Sequence, residues 1–271
     1  YHIMANLYGD MARFNLSDRY YDSSLVLLMQ AGLQDDEMYT TVLRSKAYTD
    51  VTAGRLMPAK KTLAQLLGIY ETKFGKEYLG SAEILITLGN VSYQTNALAA
   101  AMIHTTQGMA ISSKYAGNET ILAATGYEVQ GLIKHKMGKS AEGLMLCEKA
   151  LALNKKLLGE MHANTASTLS NLGLIFQETG DYAAAEKVLR QSYIIRQQLL
   201  GYDHPQCAIA MNNLATVLIM QSRFTDADKL LAAAIEILRA KGMMSSNIAL
   251  TTISNVAMLM EKQNDQVVFA L

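Results

Sequence analysis

Bulky apolar residues return along this chain at a constant stride of 42. Phe14, Leu56, Leu98, Tyr182 and Phe224 form one such column, interrupted at Ser140, and Leu27, Ile69, Ile111, Leu153, Ile195 and Ile237 form another. Two further columns admit small side chains alone. Ala5, Ala47, Gly89, Gly131, Gly173, Ala215 and Ala257 make the first. Ser17, Ala59, Ala101, Gly143, Ala185 and Ala227 make the second, which Phe269 breaks in the last, incomplete unit. Glycine inside a helix costs about 1 kcal/mol relative to alanine, so Gly89, Gly131 and Gly173 make sense where another helix comes close. The two small columns, twelve residues apart, therefore predict two helices that cross tightly in every repeat.

Between those columns lie Ala12, Gly54, Asn96, Gly138, Gly180, Ser222 and Asn264, residue types that tolerate the irregular backbone of a tight turn. Gly75, Gly117, Gly159 and Gly201 close each second helix, and Asp203, His204 and Pro205 suit the opening of the next first helix, since Asp can cap and Pro is tolerated in the first turn. The pattern predicts helices near 1–12, 15–31, 36–53, 57–73, 78–95, 98–115, 120–137, 140–157, 162–179, 182–199, 204–221, 224–240 and 246–263. That is one all-α solenoid domain of about six and a half hairpins. Its repeats run over 1–33, 34–75, 76–117, 118–159, 160–201, 202–243 and, incomplete, 244–271.

Composition agrees and narrows the functions. Half of the residues are hydrophobic, 7% are aromatic and Pro occurs twice, the palette of close-packed helices. Lys plus Arg equals Asp plus Glu at 24 each, so no net field draws the chain to nucleic acid or to anionic lipid. Apolar stretches such as Leu25 to Met29 are far short of the ~20 residues that cross a bilayer, and no membrane insertion is expected. Cys147 and Cys207 fall in non-adjacent repeats, beyond the ~7 Å reach of a disulfide, which predicts two free and mostly buried thiols. The chain opens at Tyr1 in mid-pattern and stops at Leu271 just after a new helix is expected to start, so it reads as a piece of a longer protein. Its compartment is left open, with the cytoplasm favoured.

The order of the columns resembles the tetratricopeptide signature, a small residue on the first helix followed twelve positions later by Ala on the second. Ser170-Asn171-Leu172-Gly173, Gly180-Asp181-Tyr182-Ala183-Ala184-Ala185-Glu186 and Asn212-Asn213-Leu214-Ala215 carry it best. With the linker Leu199-Leu200-Gly201-Tyr202-Asp203-His204-Pro205, the chain is similar to the long 42-residue variant found in kinesin light chains and in many bacterial multidomain proteins. The early Trp of the family is absent, and Tyr1, Leu43, Leu85, Tyr127, Leu169, Met211 and Ile253 stand in its column. The resemblance implies a right-handed α-α superhelix and a non-enzymatic scaffold that binds a protein or peptide. Among bacterial relatives it also implies an alternative, a regulatory or sensor arm of an enzyme such as a caspase-like peptidase or sensor kinase.

In this family the first helices line the concave surface. Alignment places His2, Arg44, Ile86, Glu128, Ser170, Asn212 and Ser254 there, with Asn6, Tyr48, Asn90, Leu132, Leu174, Thr216 and Met258 a turn on, then Val51, Tyr93, His135, Gln177 and Ile219. Amides, hydroxyls and tyrosines suit an extended peptide, whose backbone needs hydrogen-bond partners. The candidate groove residues are Arg44, Tyr48, Asn90, Tyr93, Glu128, His135, Ser170, Gln177, Asn212 and Thr216, with Tyr48 and Tyr93 as anchors. The same tyrosines could instead cover core edges. Asn171, Asn213 and Asn255 form a column that either grasps ligand or bonds neighbouring repeats.

Other motifs reduce to architecture. Gly138-Lys139-Ser140 resembles the end of a phosphate loop, but Ile133 stands where that loop needs Gly. The five histidines, His2, His104, His135, His162 and His204, show no metal-ligand spacing, and His162 and His204 share a column at helix starts. Cys147 shares a core column with Leu63, Leu189 and Leu231. Asp35-Asp36-Glu37 is an acidic helix start. No catalytic residue, metal site or cofactor is expected.

Overall fold

A computed structural model describes residues 1–269 apart from 12, 35 and 245, and their side chains apart from 10 and 265–269. The described residues form thirteen helices and no strand: α1 (His2–Asp10), α2 (Phe14–Gln30), α3 (Glu37–Thr52), α4 (Leu56–Phe74), α5 (Gly80–Gln94), α6 (Leu98–Ala116), α7 (Ile121–Lys136), α8 (Ser140–Leu158), α9 (Ala163–Glu178), α10 (Tyr182–Leu200), α11 (Pro205–Met220), α12 (Phe224–Ala240) and α13 (Asn247–Phe269). Two compact units divide the chain, 1–133 and 134–271. In each, consecutive helices pack as antiparallel hairpins stacked in chain order, an all-α repeat solenoid fold.

The first twelve helices lie within two residues of their expected bounds at each end. The thirteenth does not. Asn264, expected in a turn, sits inside α13, which runs on to Phe269. Ala257 is correspondingly exposed, because among the described residues no second helix follows to cover it. Two other expected turn and cap positions, Ala12 and Asp35, lie outside the described residues, as does the Phe269 side chain.

The small columns are where the helices touch. Every one of Ala5, Ala47, Gly89, Gly131, Gly173 and Ala215 is buried, as are Ser17, Ala59, Ala101, Gly143, Ala185 and Ala227. In the first hairpin the Ser17 hydroxyl donates to the Ala5 carbonyl at 2.7 Å. A methyl added at Gly89 would stand 2.1 Å from Thr105 Oγ1 and 3.1 Å from the Ala101 carbonyl. Around these crossings larger apolar side chains assemble the cores: Leu43, Leu63, Leu66 and Leu88 in the first unit, Leu189, Leu214, Leu218 and Leu231 in the second. Each such side chain contributes roughly 1.5–3 kcal/mol by leaving water. Leu27 departs from its column and is exposed, and so are Tyr1 and Ile253 in the column of the missing Trp, the latter two on the first and last helices.

Two glycine columns solve two different problems. Gly54, Asn96, Gly138, Gly180 and Ser222 all have positive φ, between 59° and 85°. In each case the next residue donates back to a carbonyl five positions earlier, as Asp181 N does to Phe176 O at 2.9 Å, which ends the helix in a six-to-one closure. Asn96 and Ser222 show that side chains fit there. The linker glycines are more demanding: Gly201 has φ 85° and ψ 157°, a region open in practice to Gly alone. Gly201→Ala is expected to cost at least ~1 kcal/mol, whereas Gly180→Asn should change little, and urea denaturation of the two variants side by side checks the contrast.

The first helices α3, α7, α9, α11 and α13 are capped by side chains in one repeat column. Asp36 accepts from Met38 N at 2.7 Å, Thr120 from Ala123 N at 3.0 Å, His162 Nδ1 from Asn164 N at 3.1 Å, His204 Nδ1 from Gln206 N at 3.1 Å and Ser246 from Ala249 N at 3.3 Å. His204 thus takes the cap that Asp203 was expected to hold, while Asp203 pairs with Lys241 at 2.6 Å. Both cysteines are buried thiols.

Candidate functional site: polar clefts on the first helices

The first helices α9, α11 and α13 of the second unit lie side by side, and residues spaced by three or four positions on each share one face. A cleft of about 270 Å³ opens along that face, lined by Ser170, Asn171, Leu174 and Gln177 of α9, Asn212, Asn213 and Thr216 of α11, and Thr251 and Asn255 of α13, with Leu189 below. Four of the expected groove residues, Ser170, Gln177, Asn212 and Thr216, therefore meet in one place.

Its polar atoms are ordered by one another. Asn255 Nδ2 donates to Asn212 Oδ1 at 3.0 Å and to Thr216 Oγ1 at 2.8 Å. Thr216 in turn donates to the Asn212 carbonyl at 3.0 Å. On α9 the Ser170 hydroxyl meets Ser192 Oγ at 2.8 Å, and Ser192 donates to the Ala166 carbonyl at 2.7 Å. Asn255 thus bonds the preceding repeat, one of the two roles open to its column. A fixed amide row with an exposed Leu174 beside it offers both donors and acceptors to a backbone and an apolar contact to a side chain.

A second cleft, of about 450 Å³, lies in the first unit and is lined by Tyr48, Glu83, Ile86, Thr87, Ile121, Leu122 and Thr125. The Tyr48 hydroxyl is buried beside Glu83 and Thr87 without a well-directed hydrogen bond to either. Burial, then the Glu83 carboxylate, push its pKa far above that of an ordinary tyrosine, so it acts as a neutral donor.

The remaining candidates are placed apart from these clefts. Arg44 and Glu128 are half-buried. Asn90 accepts from Gln94 Nε2 at 3.3 Å along its own helix, and Tyr93 packs on the core of Ile86, Ala101, Val129 and Ile133. His135 is 8% exposed; its Nδ1 contacts Ser140 Oγ and its Nε2 contacts Glu178, both at 2.9 Å. Leu132 and Ile219, expected on the groove surface, are buried instead, and Ile86 is buried against the second cleft.

Both clefts also draw on two columns that the expected rows leave out: Glu83, Thr125 and Thr251 in one, Thr87, Asn171, Asn213 and Asn255 in the other. The first of these, polar at Thr41, Glu83, Thr125, Ser167 and Thr251 and apolar only at Ile209, was the available signal.

Comparison with known proteins is consistent with this geometry. A family model described as tetratricopeptide repeat matches residues 122–198 and 179–240. A search of curated proteins finds no match. Among solved structures, the crystal structure of BtubC (BKLC) from P. vanneervenii is similar, with a TM-score of 0.61 at 19% identity over 83% of this chain and 89% of that one. Two crystal structures of nearly identical TPR-like repeats of kinesin light chain type from Podosopora anserina, one a point variant, are also similar. The variant has a TM-score of 0.56 at 18% identity, covering 74% of this chain and 94% of its own. The other has 0.53 at 19%, covering 76% and 95%.

Proposed function

We propose that this chain, a repeat solenoid similar to tetratricopeptide-repeat proteins of the kinesin-light-chain type, is a non-enzymatic scaffold that holds an extended polypeptide against its first helices. Repeats of this kind mediate contacts between proteins. The observation that carries the reading is the amide cleft: Asn212, Thr216 and Asn255 hold one another in place, with Ser170 and Gln177 in the same lining. Preordered donors and acceptors of that kind match the repeating N–H and C=O groups of a strand-like segment and lose little entropy on binding. Tyr48 supplies a second anchor in its own cleft, a large ring with a protonated hydroxyl.

The test is selection of ten-residue peptides from a random displayed library on the whole chain, followed by titration of the selected peptides against variants. Leu174→Glu combined with Gln177→Ala alters the cleft without touching a buried core residue. These peptides should lose about tenfold or more in affinity, some 1.4 kcal/mol. Equal affinity for wild type and variant would show that the cleft is not where they bind.

A further inference from the structure

The capping column has one exception. Asp36, Thr120, His162, His204 and Ser246 each accept a hydrogen bond from the start of a first helix, but Tyr78 occupies the same position in the linker before α5, and α5 begins with no side-chain cap. A polar cap has been exchanged for an exposed ring. That ring is set in an aromatic cluster: Tyr78 stacks on Phe74 with centroids 4.4 Å apart, and both meet Tyr70, edge-on, at 5.3 and 6.0 Å. Gly80 makes room for it, since a methyl there would lie 2.4 Å from the Tyr78 ring. Facing the cluster is Tyr115 near the end of α6, and between them lies a cup of about 510 Å³. An ion pair between Lys114 and Glu77 ties the two walls together. The repeats themselves do not call for this arrangement: the columns of Phe74 and Tyr115 hold Ala116 and Leu157 one unit later.

We propose that this cup is a second binding site, distinct from the clefts, for a proline-rich peptide segment carrying acidic residues. Ring faces are the surface on which proline rings pack, and an extended proline helix has no internal hydrogen bonds, so its carbonyls seek donors of the kind Tyr78 and Tyr115 carry. Cations are poor occupants. Lys73 Nζ already stands 5.5 Å from the Phe74 centroid and Lys114 Nζ 5.5 Å from that of Tyr115, and Lys76 adds a third positive charge. Glu77, the carboxylate in the lining, is already paired with Lys114. With Glu77 neutralised by Lys114, Lys76 leaves the lining with a positive charge, which favours an acidic segment. A stiff ligand also suits a small open cup, because little ordering entropy opposes binding.

The experiment is calorimetric titration of the whole chain with a peptide of three Pro-Pro-Leu steps flanked by Glu. A control peptide has Ala for every Pro. Tyr78→Thr and Tyr115→Leu install residues that the chain itself uses one repeat later, at Thr120 and Leu157. Saturable binding is expected with the proline peptide, weakened about tenfold or more by either variant and by the control sequence. Leu174→Glu should leave it unchanged, which separates this site from the amide cleft. Thermal melting and far-UV circular dichroism of both variants, expected to show a cooperatively folded chain at the titration temperature, separate loss of binding from loss of fold. The inference is overturned by absence of saturation up to millimolar peptide, by unaltered binding in both variants, or by preference for a trimethyllysine peptide.

Discussion

Gly108→Ala is expected to lower stability by about 1–2 kcal/mol, while the same exchange at Gly68 raises it by about 1 kcal/mol. Both glycines lie inside second helices, Gly68 in α4 and Gly108 in α6, and both substitutions gain the same helix propensity. Their surroundings set the sign. Nothing lies within 4 Å of a methyl at Gly68, whereas at Gly108 it would stand 2.7 Å from the Ala82 carbonyl and 3.1 Å from the Ile86 amide. Those are backbone atoms of α5, which cannot swing aside as a side chain can. Overpacking of this kind costs about 1–3 kcal/mol and outweighs the propensity gain. Equilibrium urea unfolding of the two variants measures both; a stabilised Gly108→Ala would mean that the helices are not in backbone contact.

Arg55→Met should cost about 2–3 kcal/mol at neutral pH, the second large effect. Arg55 donates through Nη1 to Asp18 Oδ2 and through Nη2 to Asp18 Oδ1 at 2.9 Å, and Nη2 also meets Asp50 Oδ1 at 2.6 Å. Asp50 is 2% exposed, so removing its guanidinium partner strands a charge in the interior between the first two hairpins. The other two groups keep some contact with water, which holds the cost below that of a fully buried pair. The sign of the pH dependence follows. Burial already raises the Asp50 pKa in spite of Arg55, so its ionised form is disfavoured by folding and its contribution falls as pH rises through that pKa. Without Arg55 the pKa rises further. The variant's deficit should therefore be largest near pH 7 and shrink as acid protonates Asp50. A deficit that grows on acidification would exclude this account.

Helix positions were readable from sequence because two independent periodicities agree: small residues mark crossings, and residues tolerant of positive φ, such as Gly180 and Asn96, mark turns. Where a column depends on a neighbour that is missing, it misleads. Ala257 and Asn264 obey the pattern in sequence, yet among the described residues Asn264 lies inside α13 and Ala257 is exposed. The crossing at Gly108 was harder to see, since its column holds Leu66, Ala150, Ser192 and Ala234 and is not uniformly small. The lining of the clefts was legible in part. Ile86 and Leu132 were aligned with polar groove positions yet are buried, while Glu83, Thr125 and Thr251, outside the expected rows, line the clefts. Among the candidates, Tyr48, Ser170, Gln177, Asn212 and Thr216 reach a cleft, while Arg44, Asn90, Tyr93, Glu128 and His135 stand outside both. Tyr78 was invisible as a site because its meaning lies in what the other five cap positions do.

The paired small columns have a consequence for how such a chain can change length. One residue inserted within α5 or α6 would rotate Gly89 away from Ala101 and ruin that crossing, yet duplicating a whole 42-residue block would leave every mate opposite its partner. Growth and loss are thereby quantised in complete hairpins, and genetic drift in array size becomes a ladder of allowed rungs rather than a continuum.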